Sequence, residues 1–228
     1  MRDTIRDQML DAILAHVPFD GWSDTAFRAA IVDSGIEKAV AETACPRGAM
    51  DLAIAYHRRG DAAMVAAMKA SDMSEMRFRD KVATALKLRV EALDDREAVR
   101  RASAFFALPQ NAAEGAKLIW ETADKVWTTL GDTSRDVNWY TKRATLSGVW
   151  ASTVLFWLGD ESPLSTDTMD FIDRRIDNVM QIEKAKASLK KNPLTKPFMS
   201  LKDQILSNVK APDKSKFANL PGNWNRPT

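Results

Sequence analysis

The residues of this sequence that most readily bind metal ions or act as nucleophiles are two histidines and one cysteine. They are His16, His57 and Cys45. An isoleucine, not a glutamate, lies three positions before each histidine, so neither completes the Glu-x-x-His pattern of helical di-iron sites. A single cysteine excludes both an intramolecular disulfide and a four-cysteine zinc site. We therefore expect no bound metal or cofactor, and a structural role for each of the three side chains.

Motifs for phosphate binding and for acid–base catalysis are also missing from the sequence. The nine glycines are never closer than eleven residues, which excludes a Gly-rich phosphate loop. The acidic pairs Asp94–Asp95 and Asp160–Glu161 fall at expected helix ends, where capping explains them better than catalysis does. The sequence therefore predicts a protein that is not an enzyme and has no catalytic residue.

The composition favours an all-α fold. Hydrophobic residues make up 45% of the 228 residues, good helix formers are abundant, and glycine and proline number only nine each. The first residues lack the apolar stretch of a signal peptide, and no window approaches the roughly 18 apolar residues of a membrane span. Together with the single cysteine, these features predict a helical domain in a reducing compartment, the cytoplasm.

Apolar spacing and chain breaks divide the sequence into helices. The first carries Met9 and Ile13 and ends before Gly21, and the second runs from Ser23 to Gly35. A third helix is predicted to open at Pro46. Later helices are expected around residues 82–93 and 95–108, after a capping box of Asn111 with Glu114, at about 139–158, and after the N-cap Ser165.

The last two of these helices carry the strongest apolar patterns. Residues 146–158 are apolar around nearly the whole circumference, which is typical of a buried helix. The final helix carries one apolar face, formed by Met169, Ile172, Ile176, Val179 and Ile182. The two helices are suited to form half of a four-helix dimer interface, or to complete the core of a monomer. We favour the dimer.

The positive charge of the chain is concentrated near its C-terminus. Residues 184–216 have a net charge of +7, whereas residues 1–183 have a net charge of −6. Apolar residues in this basic segment follow the spacing of a helix at a membrane interface. They are Leu194, Phe198, Met199, Leu201, Ile205, Leu206 and Val209. We predict that they bind the membrane surface; the alternative is a helix that packs on the rest of the protein.

The N-terminal segments resemble a helix-turn-helix unit of the TetR type. The resemblance rests on Gly21-Trp22, Ala26–Ala30, Gly35-Ile36 and Arg47-Gly48. Ten residues separate Ile36 from Arg47, where a DNA-reading motif keeps a tight turn, and few basic residues follow. We therefore expect no binding to nucleic acid, and keep a ligand-sensing TetR-type regulator as the alternative function.

A second resemblance covers most of the chain and has its most specific part after residue 130. The motifs are Pro46-Arg47-Gly48, Leu108-Pro109-Gln110-Asn111, Gly131-Asp132-Thr133-Ser134, Asn138-Trp139-Tyr140-Thr141-Lys142-Arg143 and Arg174-Arg175-Ile176-Asp177-Asn178. In this order they resemble the ninth Coq protein family, the lipid-binding accessory factors of coenzyme Q biosynthesis. The resemblance implies a TetR-like, all-helical homodimer that does not bind DNA, holds an isoprenoid or phospholipid, and assists the di-iron demethoxyubiquinone hydroxylase.

The resemblance also implies roles for particular residues. The family's partner-binding patch corresponds here to Asp136, Trp139, Tyr140 and Arg143, unless the two aromatic rings are buried. Large apolar residues on inward helix faces are the candidates for lipid binding, although each also suits a filled core. They are Phe105, Phe106, Leu108, Leu118, Trp127, Leu130, Trp150 and Trp157.

Together these patterns divide the chain into three parts. Residues 1–58 are predicted to form a degenerate helix-turn-helix-like unit, and residues 59–191 a lipid-binding and dimerisation body. Residues 192–228 are predicted to form an amphipathic helix and a disordered tail. The expected location is the cytoplasmic surface of the inner membrane.

Overall fold

The computed structural model describes the backbone of residues 2–191 and Lys210, and the side chains of residues 3–181 and Lys210. The described residues form ten α-helices and one 3-10 turn, and include no strand. The helices are α1 (Arg2–Leu14), α2 (Val17–Asp20), α3 (Asp24–Ser34), α4 (Lys38–Ala44), α5 (Ala49–Ala70), α6 (Phe78–Glu91), α7 (Arg96–Ala107), α8 (Ala112–Thr129), α9 (Val137–Leu158) and α10 (Thr166–Lys191). The 3-10 turn is Pro163–Ser165. The predicted all-α fold is confirmed.

The long helix α5 joins two groups of helices. Its first half packs against α1 and α3, and it also contacts α6 and α8, which with α7, α9 and α10 form the larger helical body. Buried apolar residues run from Met9 and Ile13 in α1 to Ile172 and Ile176 in α10 as one continuous core. The domain boundary predicted at residues 58 and 59 lies within α5, which continues without a break from Ala49 to Ala70.

The N-terminal helices contain a tight turn where ten connecting residues were predicted. Ser23 caps α3 by accepting a hydrogen bond from the amide of Ala26 at 3.2 Å. Gly35 ends α3 in the left-handed region at φ 64°, where a residue without Cβ is favoured. After Ile36 the chain enters α4, so the second helix of the helix-turn-helix arrangement begins at Lys38. The prediction that a long connection runs to a helix at Pro46 was therefore wrong.

Helix α9 is not buried all round, contrary to the prediction from its composition. Residues Thr141, Ala144, Thr145 and Gly148 form an exposed stripe of small side chains, and Leu155 is 68% exposed. On the opposite face Leu146 and Trp150 are buried against neighbouring helices. Within the predicted range 146–158, hydrophobicity alone could not reveal that Leu155 and Phe156 are exposed, because buried and exposed apolar residues look alike in a sequence. No helix among the described residues is long and apolar enough to cross a membrane.

The start of α10 is capped differently from the sequence prediction. Ser165 has φ 55° in the turn before the helix, and the capping groups come from upstream. The hydroxyl of Ser162 accepts from the amide of Asp167 at 3.0 Å, and the carboxylate of buried Asp160 accepts from the amide of Thr168 at 2.9 Å. Burial alone would raise the pKa of Asp160, but hydrogen bonds from Ser162 and Thr168 outweigh it and lower this pKa to about 2.

The start of α8 also departs from the expected capping box. Asn111 is the N-cap residue, but its side-chain amide donates to the carbonyl oxygen of Phe105 at 3.0 Å instead of capping α8. Glu114 forms ion pairs with Arg47 and Lys117, each at 3.3 Å. The side chain of Asn111 therefore fixes the end of α7 against the start of α8.

Candidate functional site

An apolar cavity of about 370 Å³ lies in the helical body, between helices α5 to α9. Its wall is formed largely by carbon atoms of small and branched side chains. The lining residues are Ala53, Tyr56, His57, Arg89, Leu93, Val99, Ala102, Ser103, Phe106, Ala107, Ala112, Gly115, Ala116, Leu118, Ile119, Trp150, Ala151, Val154 and Leu155. Ala107, Ala116 and Leu155 among them are exposed, so the cavity reaches the surface between α7, α8 and α9.

Small residues create this space between α7 and α8. A Cβ atom at Gly115 would lie 2.8 Å from the Cβ of Phe106, so glycine permits the close approach of the two helices. Ala102, Ala112 and Ala116 then line the cavity with methyl groups where larger side chains would fill it. The cavity exists because these positions lack large side chains. Its location therefore cannot be predicted from the large apolar residues of the sequence alone.

A buried ion pair adjoins the cavity through Arg89, which is one of its lining residues. The Arg89 side chain, on α6, donates from Nε to the carboxylate of Asp61 at 2.8 Å and from Nη2 to the carbonyl oxygen of His57 at 3.0 Å. Arg89 is 1% exposed and Asp61 is fully buried. The guanidinium group lies over the ring of Trp150, 5.1 Å from its centroid. Gly60 makes room for it, since a Cβ atom there would lie 2.5 Å from Nη1.

Asp61 is the centre of a larger polar cluster. Its carboxylate also accepts from Lys125 Nζ and from the Thr122 hydroxyl, each at 2.9 Å, and Nε2 of His57 lies 2.9 Å from the same hydroxyl. Burial would raise the pKa of Asp61, but the nearby His57, Arg89 and Lys125 outweigh it and lower this pKa. Burial lowers the pKa of His57 to about 4, so this ring is neutral at pH 7.

Three of the eight predicted lipid-binding residues line the cavity: Phe106, Leu118 and Trp150. The other five do not line this cavity. Phe105 packs edge-on against Phe106, and Leu108 is 44% exposed after the end of α7. Trp127 lines a second cavity, Leu130 follows the end of α8, and Trp157 is buried beneath the guanidinium group of Arg96.

The cavity residues that the sequence analysis missed are mostly small or polar. His57 was expected to be structural, and its side chain does bond to Thr122, but it also lines the cavity with Tyr56 and Arg89. One available signal was Gly60 within a helix, since an interior glycine often allows a close approach. The other was the group of small residues in α7 and α8.

The predicted partner-binding residues lie together at the start of α9. Asp136 caps this helix by accepting from the amide of Asn138 at 3.0 Å. Trp139 and Tyr140 are half-buried, with ring centroids 4.8 Å apart. Both rings also pack against Trp120 of α8, at 5.8 Å and 6.5 Å. The aromatic pair is therefore accessible on one side and anchored on the other.

Arg143 differs from the other three residues because it is buried, 2% exposed. Its side chain donates to Asp124 at 2.6 Å, to Asp132 at 3.0 Å and to the carbonyl oxygen of Trp139 at 3.2 Å. Burial would raise the pKa of Asp132, but hydrogen bonds led by that from Lys142 lower it to about 2. Arg143 was assigned to the partner-binding patch, but its side chain is buried and both of its carboxylate partners belong to this chain.

A second cavity, of about 280 Å³, lies between α6, α9 and α10 beside this group. Trp127 lines it, with its ring stacked on Phe78 at a centroid distance of 5.5 Å. The Tyr140 hydroxyl donates to the carbonyl oxygen of Lys210 at 3.2 Å. The predicted membrane-binding residues lie outside the described residues; they are Leu194, Phe198, Met199, Leu201, Ile205, Leu206 and Val209.

Acidic and metal-binding side chains form no larger constellation in the described part of the chain. Among the side chains of residues 3–181 no group of three or more His, Cys, Asp or Glu is arranged to hold a metal ion. His16 pairs with Asp33 at 2.7 Å, and Cys45 is buried.

Comparison with known proteins supports both resemblances. Residues 112–183, which span α8, α9 and most of α10, match the COQ9 family model. The chain is 29% identical over 191 residues to the ubiquinone biosynthesis protein COQ9, mitochondrial, of Rattus norvegicus, covering 79% of this chain and 60% of that protein. It is 26% identical over 191 residues to the Homo sapiens protein of the same name, covering 79% and 59%. The chain thus spans about 60% of the length of these relatives.

A solved structure supports the fold. A TetR transcriptional regulator from Nitrosomonas europaea superposes with a TM-score of 0.63 at 16% sequence identity, covering 76% of this chain and 97% of that chain. At this identity the likeness concerns the fold alone. The resemblance predicted from the sequence is therefore confirmed: the chain has an all-α, TetR-like fold, and its residues 112–183 match the COQ9 family model.

Proposed function

We propose that the protein is a non-enzymatic, lipid-binding accessory factor of ubiquinone biosynthesis. It holds an isoprenoid quinone intermediate and presents it to the di-iron demethoxyubiquinone hydroxylase. The observation that carries this proposal is the apolar cavity, whose walls include residues of α8 and α9 within the range 112–183 that matches the COQ9 family model.

The size and lining of the cavity support a small apolar ligand. Its volume of about 370 Å³ lies within the range of roughly 300–1,000 Å³ that is usual for small-molecule sites. At about 30 Å³ for each water-sized group, it holds roughly a dozen heavy atoms. A ring with the first part of a chain fits that space, and the remainder of a longer chain would leave through the mouth at Ala116 and Leu155.

The aromatic pair Trp139–Tyr140 is the proposed contact with the hydroxylase. Half-buried Trp and Tyr side chains anchored by a neighbouring ring, here Trp120, have the composition of interface hot spots. Asp136 supplies an exposed charge next to them. Arg143 acts indirectly, because its guanidinium group lies 4.0 Å from the centroid of the Trp139 ring and fixes that ring from beneath.

The exposed stripe of α9 supports a homodimer. Thr141, Ala144, Thr145 and Gly148 expose only small side chains, and nothing lies within 4 Å of a Cβ atom placed at Gly148. A second copy of α9 can approach closely along such a stripe.

The membrane surface remains the proposed site of action for the segment Leu194–Val209, on the basis of its amphipathic sequence. The rat and human relatives carry the word mitochondrial in their names.

Organic extraction of the purified protein followed by mass spectrometry tests the lipid-binding proposal. The expected result is an isoprenoid or phospholipid in near-stoichiometric amount after purification from cells that make ubiquinone. Protein that carries no lipid, and that does not bind an added farnesyl-chain compound, would contradict the proposal.

Association with the hydroxylase is tested separately with Trp139→Ala. This variant should lose most co-purification with the hydroxylase while it retains bound lipid. A matched control is Phe19→Ala, which removes an aromatic ring that is 83% exposed on α2, away from the patch. Equal co-purification by both variants would place the contact elsewhere.

A TetR-type transcriptional regulator remains the second candidate, because the fold is TetR-like. The short helix α4 stands against it. Its one cation, Lys38, lies 3.8 Å from the carboxylate of Glu42, which leaves little positive charge for DNA phosphates. Binding to duplex DNA at low micromolar protein with a steep salt dependence would favour the regulator.

A further inference from the structure

Trp150, in α9, is a buried tryptophan whose indole N–H has no acceptor among the described residues; its exposed fraction is 1%. Two other tryptophans show the usual arrangement, in which a buried indole donates to a hydrogen-bond partner. The indole nitrogens of Trp22 and Trp127 each donate to a backbone carbonyl oxygen at 3.2 Å. An indole N–H donates but does not accept, so the nitrogen of Trp150 needs an acceptor from elsewhere.

The indole nitrogen of Trp150 is accessible from the cavity. Within the described part of the chain, the side-chain nitrogen and oxygen atoms that are both inaccessible and without a partner are Arg6 Nε, Arg89 Nη1 and Ser147 Oγ. Trp150 Nε1 also lacks a partner but is not one of these atoms, so it retains accessible surface. Trp150 lines the cavity, and nearly all the rest of its side chain is enclosed by protein. A ligand in the cavity can therefore reach this N–H group.

The other polar side chains of the cavity wall have less need of a ligand. The Tyr56 hydroxyl already donates to a carboxylate at 2.7 Å. His57 and Arg89 belong to the polar cluster around Asp61. Ser103 also has no partner among the described residues, but it is partly exposed, so water can satisfy its hydroxyl. The buried indole, in contrast, can be satisfied only from within the cavity.

Two contacts determine where an acceptor atom would lie. The Arg89 guanidinium group lies over the Trp150 ring at 5.1 Å from its centroid, which fixes the plane of the ring. Leu155, at the cavity mouth, follows Trp150 by five residues in the same helix, or about 7.5 Å along the helix axis. The indole N–H is therefore more than one helical turn inside the mouth.

We propose that Trp150 Nε1 donates a hydrogen bond to a carbonyl oxygen of the apolar ligand. This assignment rests on the proposed lipid-binding function and adds an orientation to it. The carbonyl-bearing ring lies beside Trp150, and the hydrocarbon chain extends past Leu155 towards the surface.

Binding of two matched probes to three proteins tests the assignment. The probes are a farnesyl-substituted 1,4-benzoquinone and farnesylbenzene, which share the carbon skeleton but differ in the carbonyl oxygens. The proteins are the full-length chain, Trp150→Phe and Ser103→Ala. Trp150→Phe keeps an aromatic ring in the wall but removes the N–H group. Ser103→Ala is the matched control, because it removes the hydroxyl of the wall and leaves the indole in place.

The quantity to compare is the ratio of the two affinities, since a smaller ring at residue 150 changes the space available to both probes alike. We expect the unmodified chain and Ser103→Ala to prefer the quinone by roughly 3- to 10-fold, the usual worth of a hydrogen bond between neutral groups. Trp150→Phe should bind both probes equally.

Three results would overturn the assignment. Equal affinity of the unmodified chain for the two probes would do so and leave the proposed function standing. A preference for the quinone that is lost in Ser103→Ala but kept in Trp150→Phe would make Ser103 the donor. If neither probe binds the unmodified chain, the proposed function fails as well.

A second measurement needs no variant, and so applies even if Trp150→Phe does not fold. In ¹⁵N-labelled full-length protein, the indole proton of Trp150 should move downfield when the quinone binds, because a hydrogen bond deshields the donated proton. Farnesylbenzene carries no acceptor oxygen and should not cause this change. The same shift with both probes would contradict the assignment.

Discussion

Replacing Arg143 with methionine should destabilise the protein much more than it weakens any surface contact. Arg143 bridges α8 and α9 and the loop between them through Asp124, Asp132 and the Trp139 carbonyl oxygen. Methionine keeps much of the side-chain length but none of the donors. The buried carboxylate of Asp132 would then lose one of its two cationic partners.

The size of the effect follows from what Asp132 retains. Removing one member of a buried ion pair typically costs 3–5 kcal/mol. Asp132 keeps Lys142 at 2.7 Å and the hydroxyl of Ser134 at 2.8 Å, so the lower end, about 3 kcal/mol, is expected. For a domain of this size, that corresponds to a fall of roughly 6–12 °C in Tm.

Urea unfolding followed by tryptophan fluorescence measures this loss, with Lys142→Met as the matched control. Lys142 contacts the same carboxylate but is partly exposed, so its removal should cost about 1 kcal/mol or less. All variants are compared at one protein concentration, because association with a second copy would shift the transition. If Arg143→Met unfolds like the control but loses association with the hydroxylase, Arg143 is a partner-binding residue and its assignment as a buried bridge fails.

Three further predictions concern the cavity, the dimer and pH. Ala116→Phe should block the cavity mouth and reduce co-purified lipid several-fold. The control Ala113→Phe, at an exposed position of the same helix outside the cavity lining, should retain its lipid. Equal amounts of lipid in the two variants would contradict the assigned mouth. Gly148→Leu should leave the monomer fold unchanged and shift the mass measured by light scattering towards a monomer. Asp132 and Asp160 have pKa values of about 2 against an ordinary 3.8. Their contribution to stability is therefore present above about pH 4 and is lost as the pH falls towards 2. Free energies of unfolding that do not change between pH 4 and pH 2 would refute this prediction.

Local patterns in the sequence were sufficient for the fold class and for most helices. Apolar spacing identified α1 and α3, and Gly35 marked the end of α3 because few residues other than glycine adopt its positive φ. The motif around Trp139 and Tyr140 indicated the resemblance to the COQ9 family, because a string of specific residues can be recognised without knowing how the helices pack. Helix α4 was missed because its seven residues are too short for a clear apolar period.

Tertiary structure alone decided which side chains meet. Arg143 is the last residue of the motif that begins at Asn138. The helical turn of α9 directs its side chain towards Asp124 and Asp132, which lie 19 and 11 residues earlier in the chain. The cavity likewise depends on residues from five helices, and on small side chains that leave space rather than fill it. A sequence displays which side chains are large, charged or apolar; whether a charge is buried, or a space stays open, depends on the distances between helices that only folding sets.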